Sequence, residues 1–280
     1  METILIATDF SKSAENATIY GLTLAKALKL DCKLFHADND AADEPASNGQ
    51  LSRLVKRLTK KDTQPVEGKF TPLIKFTSHT GPLAEVANAL SEERSAAMII
   101  LGTSGAGEQR SAFSGRGSRQ LIAGSKVPLL LVPPVAQKHL PQTIALVTSL
   151  NEADIPVVYS VATLALDLHA EIIIVHIDSG SGDHETHKNQ LHKFLEKVRE
   201  EIRFTAFSYR NIESKNIASE LSRFTAESLT GMLAMSHGRY QQLESLLKEE
   251  NTYVMEMARQ LRIPLLIYPN RPGKSGYPVY

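Results

Sequence analysis

The chain has 280 residues, enough for two cores of ordinary size. With 42% apolar and 22% charged residues and zero formal net charge, its bulk electrostatics recruit neither nucleic acid nor an anionic membrane. One cysteine, Cys32, excludes an internal disulfide framework and points to a reducing, cytoplasmic compartment; the opening METILIATDF lacks signal-peptide character, and no apolar run is long enough to span a bilayer.

In chain order, residues 2–8 (ETILIAT) read as a short buried strand. Residues 11–29 place Ala14, Ala17, Tyr20, Leu24, Ala27 and Leu28 on one helical face, with Ser11 or Ser13 as the N-cap. A strand at 32–38 (CKLFHAD), an amphipathic helix at 47–61 and a strand at 73–79 follow. Gly81-Pro82 opens a helix that runs to Glu93, since proline suits a first helical turn. Residues 96–102 form a fourth strand, 117–125 a helix, and 127–134 a fifth strand stopped by prolines. The second half repeats the order: strands at 142–148, 171–178, 202–210, 229–236 and 263–269, with helices at 153–168, 184–201 and 213–226.

The halves also match in detail. FHAD at 35–38 recurs as VHID at 175–178, and Thr8 recurs as Thr148, both at a shift of 140. This is the signature of a duplication. The expected domains are 1–134 and 141–270, joined by a proline-marked linker and followed by a C-terminal tail at 271–280. Alternating strands and helices imply an α/β fold with two tandem five-stranded parallel sheets, covered by helices on both faces. Ligands of such sheets bind beyond the carboxyl ends of the strands. Thr8-Asp9, His36-Ala37 and Gly102 all stand at such ends, beside the glycine-rich stretch GTSGAGEQRSAFSGRGS at 102–118.

Several motifs are excluded by spacing. A dinucleotide fingerprint from Gly105 meets Arg110 where glycine is required. A P-loop ending at Gly273-Lys274-Ser275 would need glycine where Tyr268 stands. A nucleophile elbow at Ser104 fails at Ala106, and HETHKNQLH at 184–192 has Lys188 in place of a second zinc-binding histidine. The basic run KRLTKKD (56–62) reads as a solvated helix face, because no aromatic residues interleave it. His36 and His176 read as packed, hydrogen-bonded edge residues, and Cys32 as buried and inert.

What remains is the spacing of Gly102, Gly105 and Gly115. It resembles the G-x2-G-x9-G-[S/T] loop of the universal stress protein family. ILIATDFSKSAENA (4–17) resembles that family's opening strand and helix, and VPLLLVP (127–133) its last strand. The resemblance spans the chain as two fused copies. It implies a Rossmann-like fold of the adenine nucleotide alpha hydrolase type, and an internal pseudo-dimer that pairs 127–133 with 263–269. It also implies a stress-response function with ATP, ADP or AMP in the first half, accompanied by Mg2+ where phosphates require it. Asp9 would lie near sugar and base, with Ala7 and Thr8 flanking it, and Ala37 would touch the adenine. Leu101 and Gly102 would lie beneath the nucleotide. Gly105, Gly115, Arg116, Gly117 and Ser118 would meet the phosphates.

Elementary physics agrees: glycine allows close backbone approach, and a helix N-terminus attracts an anion. One position departs from the pattern. Arg116 stands where Ser or Thr belongs, so it either grips phosphate or fills its space. The alternative for the loop is a plain strand–helix connection.

In the second half Ser149 replaces Asp9, and Met235 is aligned with the first motif glycine and Gly238 with the second. Asn251-Thr252 falls where the third glycine belongs, with Glu249 and Glu250 just before it. Two carboxylates there would repel phosphate, by about 1 kcal/mol per charge pair at 4 Å in water and more when desolvated. That copy reads as degenerate; the alternative is a different ligand in the same place. No nucleophile–base pair is apparent, so a binding or regulatory role is expected rather than catalysis. An interaction scaffold for an unidentified protein partner and a slow nucleotide hydrolase are the alternatives.

Overall fold

The computed structural model describes residues 2–61, 70–93, 95–103, 116–136, 139–178, 184–202, 206–213, 217–236, 238 and 262–269. The chain divides into two compact units, Met1–Leu140 and Pro141–Asn270.

The first unit runs β1 (Thr3–Ala7), α1 (Lys12–Leu28), β2 (Asp31–Asp38), α2 (Glu44–Lys61), β3 (Ile74–Thr80), α3 (Leu83–Glu93), β4 (Ala96–Gly102), α4 (Arg116–Gly124) and β5 (Leu129–Val132). Its strands pair in parallel in the order β3-β2-β1-β4-β5. The second unit runs β6 (Thr143–Thr148), α5 (Ile155–Leu168), β7 (Glu171–Asp178), α6 (His184–Glu201), β8 (Phe207–Glu213), α7 (Ile217–Glu227), β9 (Met232–Ser236) and β10 (Leu265–Tyr268). Its order is β8-β7-β6-β9-β10, the same topology.

Continuous apolar runs become central strands: every residue of β1 and β4 is buried, as is required when helices cover both faces. Edge strand β3 is mostly exposed instead, and only Ser78 of it is buried. Right-handed crossovers put α1 and α2 on one face of the first sheet and α3 and α4 on the other. Connections leave β1 toward one side and reach β4 from the other, which makes the carboxyl end of β1 the switch point.

Helix α1 begins as expected, with the Ser11 hydroxyl accepting from the Ala14 N–H at 3.2 Å. Its apolar face is shifted slightly: Ala25 is fully buried and Ala27 only partly. Helix α2 starts at Glu44, three residues earlier than expected. A short turn at Ala41–Asp43, capped by Asp40, leads into it, and the Glu44 carboxylate accepts from both Thr80 N–H and Thr80 Oγ1 at 2.7 Å.

The largest correction falls in the second unit. The expected strand at 202–210 is β8 at Phe207–Glu213, and α7 begins at Ile217 rather than 213. Ile202 instead closes the last turn of α6, its N–H bonding Val198 O at 2.9 Å, and is buried. An isoleucine that packs at a helix end and one that opens a strand look alike by composition. Cys32 is buried as expected, and burial, then Asp31, pushes its thiol up to about 12.

Candidate functional site

At the switch point the chain turns sharply. Thr8 N–H bonds Phe35 O at 2.9 Å, and Thr8 Oγ1 accepts from Phe10 N–H at 3.1 Å. Phe10 adopts the left-handed conformation with φ 62°. Asp9 Oδ1 accepts from the Ser11 N–H at 3.1 Å and the Ser11 hydroxyl at 2.5 Å, while that hydroxyl also caps α1. Asp9 therefore shapes the entry to α1 and stays at the sheet's edge.

Strand β2 supplies the next layer. The Thr8 carbonyl accepts from His36 Nδ1 at 2.6 Å, and the His36 ring packs on Phe10 with centroids 4.8 Å apart. The parallel ladder ends beside this contact. Cys32 N–H bonds Leu73 O, and Asp38 O accepts from Gly81 N–H, so even-numbered residues of β2 face β3. By alternation Ala37 faces the β1 side. The β1–β2 register stops at Ala7↔Phe35, and the next rung, Ala37 N–H to Thr8 O, is not made. The Ala37 N–H is thereby turned toward the space beyond Thr8.

That space is a cleft of about 470 Å³. Thr8, Asp9, His36 and Ala37 form one side, Gly81–Leu83 at the start of α3 another, and Gly117 and Gln120 of α4 a third. Gly81 has φ 134°, a conformation that only glycine adopts without strain. Two helix N-termini thus converge on a cleft of ligand size.

Sequence reasoning did not select Asp38, Gly81, Pro82, Leu83 or Gln120. Asp38 is 4% exposed; its Oδ1 accepts from the Ser47 hydroxyl at 2.6 Å and lies 3.5 Å from His36 Nε2, while Oδ2 has no partner among the described residues. Its signal was present in the FHAD match to VHID.

The expected site residues separate into three groups. Thr8, Asp9, Ala37 and Gly117 line the cleft together. Ala7, Leu101, Gly102 and Ser118 are buried and are not part of its lining. Gly102 has a different reason to be glycine: a Cβ there would meet Ser13 O at 2.7 Å, and Ser13 Oγ donates to Thr103 O at 2.5 Å. It permits α1 and β4 to touch. Arg116 is the first residue of α4. Gly105 and Gly115 lie outside the described residues.

In the second unit the register corrects the alignment of the motif. Ile6 pairs with Ile100, and its counterpart Leu146 pairs with Ala234. Gly102 therefore corresponds to Ser236, not to Met235, and Gly105 to position 239, beyond Gly238. The positions of Glu249, Glu250, Asn251 and Thr252 lie outside the described residues. Asp154, at the start of α5 and 6% exposed, fills the sheet's edge. Its Oδ2 accepts from Thr148 Oγ1 at 2.7 Å and from the Ser149 N–H and hydroxyl at 2.9 Å; its Oδ1 accepts from Ser236 at 3.2 Å. The β6–β7 ladder runs one rung further, to Thr148↔His176, and Ile177 replaces Ala37.

Among the described residues no group of three or more His, Cys, Asp or Glu is placed to hold a metal ion, and no helix is long and apolar enough to cross a membrane.

Comparison with known proteins agrees with the fold. Residues 1–133 match the sequence model of the universal stress protein family. No curated protein matches the chain. The solved universal stress protein of Archaeoglobus fulgidus DSM 4304 superposes with a TM-score of 0.67 at 15% identity, covering 96% of this chain and 98% of its own. The cytoplasmic domain of a prokaryotic cation chloride cotransporter superposes with a TM-score of 0.54 at 11% identity, covering 96% of both chains. A universal stress protein solved in complex with cAMP aligns at 16% identity and a TM-score of 0.37, over 48% of this chain and 100% of its own. At these identities the likeness to solved structures is one of fold.

Proposed function

We propose that the chain, which belongs to the universal stress protein family, binds an adenine nucleotide in the cleft of its first unit and acts as a stress-response module. The observation that carries this reading is the open rung at Ala37. A backbone N–H facing a cleft of about 470 Å³ offers a donor to a ring nitrogen of the base, and the small Ala37 side chain leaves room for a flat ring. Asp9, beside it, would accept from ribose hydroxyls. The first turn of α4, with Gly117, would face the phosphates, where free N–H groups and the helix dipole favour an anion. Gly105 and Gly115 would complete that phosphate cradle, and Arg116 would supply charge. Mg2+ would travel with the phosphates. The regulatory step is a nucleotide-dependent change in the surface that the mouth of the cleft offers to a protein partner.

Calorimetric titration of the purified chain with ATP, ADP and AMP tests this. Saturable binding at millimolar nucleotide or below, lost in Ala37→Trp, is expected; no binding in that range removes the reading.

A second reading, a scaffold that binds no nucleotide, is favoured by one specific observation. Contact with Ser13 accounts for Gly102 without any ligand. Replacing Gly115 with a bulky residue separates the two readings: unchanged function in the cell supports the scaffold.

A further inference from the structure

On the other face of the first sheet, the first turn of α1 and the middle of α2 enclose a second hollow of about 420 Å³. Phe10 and Ser11 form one wall; Gln50, Arg53, Leu54 and Arg57 form the other, and Glu15 lies at the margin. The four α2 residues stand at i, i+3, i+4 and i+7, on one face of the helix. Leu54 is buried and forms the floor, while the polar three are exposed along the rim. The basic run that reads as a plain solvated face thus sets Arg57 over a concavity.

The charges there do not cancel. Arg57 Nη2 pairs with Glu15 Oε2 at 2.7 Å, which fixes its guanidinium. Arg53 donates through Nε to Gly49 O at 3.2 Å, and among the described residues its two Nη atoms have no partner. A free guanidinium fork beside a pinned one suits bidentate capture of an oxyanion. Phe10 supplies an apolar wall, held there by a left-handed backbone that costs about 1 kcal/mol.

The second unit provides an independent observation. At the shift of 140, Gln190, Lys193, Phe194 and Lys197 stand for Gln50, Arg53, Leu54 and Arg57. Both cations persist, yet the acid does not: Ile155 replaces Glu15, and Lys197 pairs with Glu152 at 2.9 Å instead. The cleft residues Asp9 and Ala37 changed between the same two copies, to Ser149 and Ile177. The cationic positions are thus the same in both copies, while the acid that pairs with one of them has moved. The copies also differ in how open they are. Gln190 Nε2 reaches the corner carbonyls of Ser149 and Leu150 at 3.4 and 3.5 Å, whereas among the described residues Gln50 makes no such bond.

We propose that the hollow in the first unit binds a small organic oxyanion, a phosphate or carboxylate. Its head sits on Arg53 and Arg57, and its flat or apolar body lies against Phe10 and Leu54. This is independent of the nucleotide reading, since the two cavities share only Thr8 in their linings.

Titration of the full chain with phenyl phosphate, benzoate and inorganic phosphate at constant ionic strength, followed by calorimetry and by arginine Nε–Hε resonances, is the test. Saturable binding of phenyl phosphate or benzoate, tighter than that of inorganic phosphate, is expected. Which of the two aromatic probes binds more tightly tells phosphate from carboxylate. Arg53→Glu should weaken it about tenfold or more. Arg53→Gln gives the same reading should Arg53→Glu disturb folding. Ala37→Trp, which alters the cleft at a residue that does not line the hollow, should leave it unchanged. Absence of saturable binding by all three probes, or affinity that is the same in Arg53→Gln, overturns the proposal.

Discussion

The carboxyl edges of the two sheets are built on the same corner and finished differently. In each unit a threonine hydroxyl accepts from the N–H two residues on, at 3.1 and 3.0 Å, and a left-handed residue follows, Phe10 or Leu150. In each, a histidine Nδ1 bonds the threonine carbonyl, at 2.6 Å from His36 and 3.1 Å from His176. The first unit then stops its ladder, keeps glycine at 102 and leaves a cleft. The second extends the ladder by a rung and seats the Asp154 carboxylate among four donors. Duplication preserved the scaffold of the corner, while a few side chains decided whether it stays open. A buried carboxylate at the second edge also repels any anion that would take the equivalent place.

The contrast can be broken from the second unit first. Asp154→Ala would strand the donors of Thr148, Ser149 and Ser236, three of them side-chain hydroxyls, in a buried setting. We expect a loss of about 3 to 4 kcal/mol in chemical denaturation. Loss below about 1 kcal/mol would mean that the carboxylate is not what holds that edge closed.

Gly102→Val should cost about 2 to 3 kcal/mol, because the added atoms meet the Ser13 backbone rather than a side chain that can turn away. Cys32 offers a readout confined to the first unit. Its thiol, raised to about 12, should resist iodoacetamide at mildly alkaline pH in the native protein and react faster in this variant. Equal labelling rates would show that α1 and β4 tolerate the intrusion.

Asp9→Ala should lower stability by about 1 kcal/mol through the lost Ser11 contacts, and weaken adenine nucleotide binding by a larger factor. A variant with unchanged nucleotide affinity would confine Asp9 to shaping the helix entry.

The smallest effect concerns Glu44. Hydrogen bonds from the Thr80 side chain, then from its backbone, hold this carboxylate below its ordinary range. A folded value below the unfolded one means stability that is full above the ordinary carboxylate range and lost as pH falls through the depressed value. Glu44→Gln should therefore flatten the acid limb of the stability curve slightly. An unaltered limb would show that the contact contributes nothing in solution.

Periodicity, proline and glycine placement and the shift of 140 residues determined on their own that this is a doubled, parallel α/β chain, and located Thr8, Asp9 and Ala37 at one edge. Those signals are local, or depend only on order along the chain. Tertiary structure alone decided the rest. Gly102 belongs to a helix–strand contact, Ser236 is its counterpart, Asp154 fills the second edge, and Ile202 ends a helix. Arg57 overhangs a hollow rather than facing open solvent. Each of these depends on which backbone comes within a few ångströms of which side chain across some tens of residues, and composition and spacing do not encode that distance.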